Sequence, residues 1–86
     1  MNFLSTRSEH YGELQELVNS LYARSASGTV SKLDIMVRAE LYDLCPELQE
    51  VIDLLPSGNY KRYKLCDQLN SIITAHGWGM RYGTVE

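Results

Sequence analysis

The 86-residue chain reads as a mainly α protein, a compact bundle of about four short helices with a short C-terminal β-like tail. Three observations predict it. Apolar residues recur at spacings of three and four along most of the chain, the period of one helix face. Each such stretch is bounded by a recognisable start or stop signal. The rhythm changes to strict alternation only after Gly77.

The first helix is expected from Thr6 to Arg24, with Tyr11, Leu14, Leu17, Val18, Leu21 and Tyr22 on one side. Thr6 stands three residues before Glu9, the spacing of a capping box. Ser25-Ala26-Ser27-Gly28 then breaks the helix. A second helix starts at Ser31 with Asp34 as its third residue, and Val30 and Ile35 are placed as a hydrophobic staple. Leu33, Met36, Val37, Leu41 and Leu44 form its expected buried stripe. Cys45 precedes Pro46 and is driven out of helical geometry, so the helix ends near Leu44. Pro46 opens a third helix, where its missing amide hydrogen costs nothing, with Leu48, Val51, Ile52 and Leu55 inward. Pro56-Ser57-Gly58-Asn59 breaks the chain again. The fourth helix runs from about Tyr60 or Lys61 to His76, with Leu65, Leu69, Ile72 and Ile73 inward and Gly77 as a left-handed stop.

In the tail, Trp78, Met80 and Tyr82 alternate with Gly79, Arg81 and Gly83, a strand rhythm. A lone strand needs a partner, either Asn2-Phe3-Leu4 or a second chain, which makes a homodimer conceivable. A winged-helix arrangement competes with the bundle, but the chain ends before a second wing strand. No internal repeat stands out.

Composition bounds the function. Hydrophobic residues make up 44% and charged residues 22%, ordinary values for one globular domain spanning 1–86. No apolar run approaches the roughly 18 residues of a membrane span, and the opening residues lack the apolar core of a signal peptide. A cytoplasmic location without membrane association follows. Cys45 and Cys66 are too few for a disulfide framework and read as small buried residues. The net charge of −3 is uneven: residues 1–58 hold nine acids and four bases, residues 59–86 four bases and two acids.

Chemistry-bearing motifs are scarce. His10, Cys45, Cys66 and His76 have no metal-ligand spacing. Cys66 and His76 are ten residues apart on one expected helix, roughly 15 Å along its axis, too far for a nucleophile–base pair. Gly77-Trp78-Gly79 leads out of a helix rather than into one, so it is no phosphate loop. The expectation is a non-enzymatic chain with no metal and no cofactor.

Two surfaces stand out instead. The first is acidic: Glu40, Asp43, Glu47, Glu50 and Asp53, joined by Glu9, Glu13 and Glu16. Glu47, Glu50 and Asp53 step by three along one helix side, and pairing along these helices is largely unavailable. The second is basic and aromatic: Tyr60, Lys61, Arg62, Tyr63 and Lys64, extended by Trp78, Arg81 and Tyr82. Cations interleaved with rings at a helix start suit phosphates and stacked bases, although three or four charges give only salt-sensitive binding.

The sequence therefore points to a small protein-binding regulator or inhibitor. It would dock on a larger protein, itself a candidate nucleic-acid handler, through the acidic faces, with Tyr60, Tyr63, Trp78 and Tyr82 as anchors. Size and charge fit a phage or mobile-element product. The alternative is a helix-turn-helix-like protein binding nucleic acid directly through 59–64, a reading that the overall acidity weakens.

Overall fold

The computed structural model describes residues 8–86. Its elements, in order, are α1 (Glu13–Arg24), β1 (Thr29–Ser31), α2 (Lys32–Tyr42), α3 (Pro46–Asp53), β2 (Asn59–Lys61), α4 (Arg62–Ala75) and α5 (Gly79–Tyr82). The architecture is mainly α, with a small sheet of two strands.

The chain has two successive helix–strand–helix halves, α1–β1–α2 and α3–β2–α4. The strands run antiparallel with Thr29 opposite Lys61, Val30 opposite Tyr60 and Ser31 opposite Asn59, a register symmetric about its central pair. Residues thirty apart play matching roles: Leu14 and Leu44, Val18 and Leu48, Leu21 and Val51, Val30 and Tyr60, Ile35 and Leu65, Ala39 and Leu69 are all buried. Ser27-Gly28 and Ser57-Gly58 turn into the two strands at the same offset. Gly28 adopts φ 75°, the left-handed geometry that glycine enters without steric cost. The repeat lies in fold and burial pattern. Few identical residues mark it, so it is inconspicuous in the sequence.

Local signals account for most helix boundaries. Ser31 caps α2: its side chain accepts the Asp34 amide at 3.1 Å, and the Asp34 carboxylate accepts the Ser31 amide at 3.0 Å. Those bonds hold the Asp34 carboxyl below the usual carboxylate range. Pro46 sits at the start of α3 as expected, and Gly77 leaves α4 with φ 71°. Helix α1 begins later than the apolar period implies. Glu9–Gly12 form a turn, Gly12 has φ 88°, and the helix starts at Glu13. Thr6, half of the expected capping box, lies outside the described residues, as do Asn2, Phe3 and Leu4.

Two expectations are corrected. The alternation after Gly77 does not form a strand. Residues 79–82 make one helical turn, closed by the Tyr82 and Gly83 amides on the carbonyls of Trp78 and Gly79, each at 2.9 Å. A strand would put Trp78, Met80 and Tyr82 on one face. Helical spacing instead brings Trp78 and Tyr82 together and sends Met80 out, so Tyr82 is 2% exposed and Met80 76%. The sheet lies between the interhelical turns, which also removes the wing. The last residues are held within the chain. Asn70 exchanges hydrogen bonds with the Val85 amide and carbonyl at 2.7 and 2.8 Å, and Gln15 does the same with Glu86 at 2.9 and 2.8 Å. The tail is thus occupied and offers no strand for exchange with a second chain.

The second correction concerns α2. Its buried residues are Ile35 and Ala39. Leu44 is buried as expected, but Leu33, Met36, Val37 and Leu41 face outward, at 69%, 37%, 52% and 71% exposure. Both sets satisfy a helical period, so periodicity alone does not choose between them. The staple decides. Val30 is fixed in the ribbon opposite Tyr60, and Ile35 packs on the same side. At about 100° per residue, Leu33 then lies on the far side of the helix from Ile35.

Candidate functional site

The acidic surface expected from the sequence is largely divided by tertiary pairing. Glu47 accepts the Tyr82 hydroxyl and lies 3.7 Å from Arg81 Nε. Glu50 meets His76 Nε2 at 3.1 Å, while His76 Nδ1 donates to the Ile72 carbonyl at 2.9 Å. These contacts tie α3 to the corner between α4 and α5. Glu13 takes His10 Nδ1 at 2.8 Å, and Glu9 approaches His10 Nε2 at 3.6 Å. The Glu13 hydrogen bond, with the charges of Glu13, Glu9 and Glu47, raises the His10 pKa above its ordinary value. Asp53 accepts the Gln49 amide at 3.2 Å, and its carbonyl accepts Lys32 Nζ at 3.1 Å. Glu16, Glu40 and Asp43 stay exposed, with no ion pair among the described residues.

The basic and aromatic cluster is also taken apart. Tyr60 is 7% exposed: its hydroxyl donates to the Pro56 carbonyl, and its own carbonyl accepts the Tyr22 hydroxyl at 2.8 Å. Burial pushes the Tyr22 pKa up to about 12. Tyr82 is a core residue, and Trp78 is half-buried, stacked on His76 at 4.3 Å. Neither Tyr60 nor Tyr82 can serve as a surface anchor without leaving the core. Arg62 donates to Asn19 Oδ1 at 2.5 Å and to the Glu86 carbonyl at 2.8 and 3.2 Å, so it holds the tail. Arg81 is engaged with Glu47 and lies over the Tyr82 ring. Lys61, Tyr63 and Lys64 remain at the surface.

Metal and thiol chemistry find little support in the side chains present. The two twelve-residue segments 23–34 and 53–64 carry glycine at their sixth position, as calcium-binding helix–loop–helix segments do. Their positions one, three, five, nine and twelve hold Ala23, Ser25, Ser27, Ser31 and Asp34 in the first, and Asp53, Leu55, Ser57, Lys61 and Lys64 in the second. Each segment keeps a single carboxylate at these positions, Asp34 at twelve and Asp53 at one, too few to hold the ion, and in the second the final position is a cation. No group of three or more His, Cys, Asp or Glu among the described residues is arranged to hold a metal ion. Cys66 is buried, which pushes its thiol pKa up and keeps it a poor nucleophile.

What the structure adds is the outer face of α2. Leu33, Val37 and Leu41 project on the side opposite Ile35 and Ala39, with Met36 exposed on the flank, so this helix is apolar both toward the core and toward solvent. Beside it runs a surface groove of about 370 Å³, lined by Leu21, Arg24, Val30, Leu33, Val37 and Arg38. Neither arginine has an ion pair among the described residues. An apolar stripe on each of two opposite sides, with charges on the flanks, is the pattern of a helix packed on both sides. The sequence carried only a conditional signal for this face: the staple turns Ile35 inward and Leu33 outward once the ribbon has buried Val30. Comparison with protein-family models, with curated proteins and with solved structures finds no match for this chain.

Proposed function

We propose that this chain is a non-enzymatic protein-binding module, a small adaptor or inhibitor, and that it docks through the outer face of α2. One observation carries the reading: three large apolar side chains project from the solvent side of a helix that already buries its other side. Single exposed apolar residues are ordinary on protein surfaces, but a contiguous stripe at helical spacing is the signature of a contact surface. Exposed Glu16, Glu40 and Asp43, with the equally unpaired Arg24 and Arg38, give the surroundings of this face charges of both signs, which suit and orient a partner of mixed charge.

Direct nucleic-acid binding is less well supported. Its strongest cation, Arg62, is committed to the tail, and two of its rings are in the core. The remaining Lys61 and Lys64 would neutralise about two phosphates, which is weak at physiological salt.

The test is a photo-reactive amino acid placed at position 33, 37 or 41, with position 64 as a control, and irradiation in the cell. Discrete adducts from α2 positions and none from the control are expected. Equal labelling everywhere, or no adduct from α2, would reject the docking face.

A further inference from the structure

We infer that the protein received by the outer face of α2 is a second copy of this chain, packed antiparallel across a two-fold axis through Val37. The inference rests on the docking reading above and identifies its occupant.

The apolar stripe is self-complementary. Leu33 and Leu41 lie four residues before and after Val37, each roughly 6 Å from it along the helix axis. A two-fold axis perpendicular to α2 at Val37 lays Leu33 of one copy on the partner's Leu41, and Val37 on the partner's Val37. An interface between identical subunits must use one patch twice in this way.

The flanking charges obey the same operation. Asp34 and Arg38 lie on one side of the stripe. In the antiparallel pair, Asp34 falls about 3 Å along the axis from the partner's Arg38, and the contact occurs twice. Asp34 is suited to it, because Oδ2 takes the Ser31 amide and Oδ1 is left over. Arg38 has no ion pair within the described residues. On the other side, Glu40 is exposed and has no ion pair among the described residues. Lys32 is turned toward the core side of the helix, where it donates to the Asp53 carbonyl. A parallel pair exchanges the flanks: it sets Arg38 near the partner's Glu40 and leaves Asp34 across the seam from the partner's Arg38. Only the antiparallel arrangement joins Asp34 to the partner's Arg38, and the charge-swap variants below test that pair.

The contact is modest in size. A single 11-residue helix face is smaller than the roughly 800 Å² per partner of a standard interface. Dissociation on the order of 100 µM is expected, with weakening at high salt from the loss of the flanking pairs.

Sedimentation equilibrium of the 9.8 kDa chain from micromolar to millimolar concentration tests this. The natural sequence should show reversible monomer–dimer behaviour. Val37→Asp should abolish it while leaving the circular dichroism of the monomer unchanged. Arg38→Asp and Asp34→Lys should each weaken it about tenfold, since each sets like charges together. An equimolar mixture of these two variants should form a heterodimer tighter than either homodimer, because every flanking pair is then restored. A monomer at millimolar concentration, or a mixture no tighter than its components, overturns the second-copy assignment. If photo-adducts from position 37 then join the chain to a different protein, the docking reading survives without it; if no adduct forms either, both fall.

Discussion

Replacing Ile35 by alanine and Val37 by serine, two positions apart on α2, separates the two possible orientations of that helix. Ile35 is fully buried and belongs to the main core, whereas Val37 is 52% exposed. Truncating a buried isoleucine to alanine costs roughly 2–5 kcal/mol through lost transfer energy and the cavity left behind. Alanine's better helix propensity returns only a few tenths. Val37→Ser changes helix propensity little, because the two residues rank together, and a half-exposed site away from caps and networks shifts stability by about 0.5 kcal/mol or less. For a domain of this size, 1 kcal/mol moves Tm by roughly 4–8 °C. The Ile35 variant should therefore melt at least about 10 °C below the natural sequence, and the Val37 variant within a few degrees of it. Thermal melts followed by far-ultraviolet circular dichroism, at a few micromolar to avoid self-association, give both melting temperatures, and urea unfolding gives the free-energy differences. Equal losses, or a larger loss at Val37, would mean that α2 buries the opposite stripe, and the docking face would disappear with it.

Three further outcomes follow from the contacts. Ser31→Ala removes the side-chain half of the α2 capping box and should lower unfolding free energy by about 1 kcal/mol, an effect to be read from the urea midpoint. In the native state the His10 pKa lies above its ordinary value, chiefly through the Glu13 hydrogen bond, so its contribution to stability is full below pH 6.5 and is lost as pH rises through the native pKa. Stability profiles of the natural sequence and His10→Gln should consequently differ at pH 5.5 and converge once the pH has risen above the native His10 pKa; parallel profiles would remove the His10–Glu13 contact. Spectrophotometric titration should reveal one of the six tyrosines ionising at about 12, and Tyr22→Phe should delete that step.

Much of the helical framework was legible because its determinants are close in sequence. The Ser31–Asp34 box, Pro46 at the head of α3 and Gly77 after α4 act across one to four residues, and each element ends near where those signals place it. The candidate site was less legible. Acids that find no partner along their own helix find one on another: Glu47 meets Tyr82 and Arg81, and Glu50 meets His76, all more than twenty residues away. The cluster at 59–64 looked continuous in sequence because burial is invisible there. In the fold Tyr60 turns inward across the ribbon from Val30, and Arg62 turns to the chain end.

By itself, then, the amino-acid sequence determined most helix boundaries, the start of α1 and the turn α5 excepted, and that the chain is mainly α. Caps, prolines and glycines settle those boundaries through bonds and steric limits within a single turn. Only the tertiary structure decided which side of α2 is buried, that strands form at 29–31 and 59–61 rather than in the tail, and which charges are spent internally. A helical period is satisfied by more than one stripe. A three-residue strand exists only when a partner supplies its hydrogen bonds. An ion pair forms between side chains that the fold brings within 4 Å, whatever their separation along the chain.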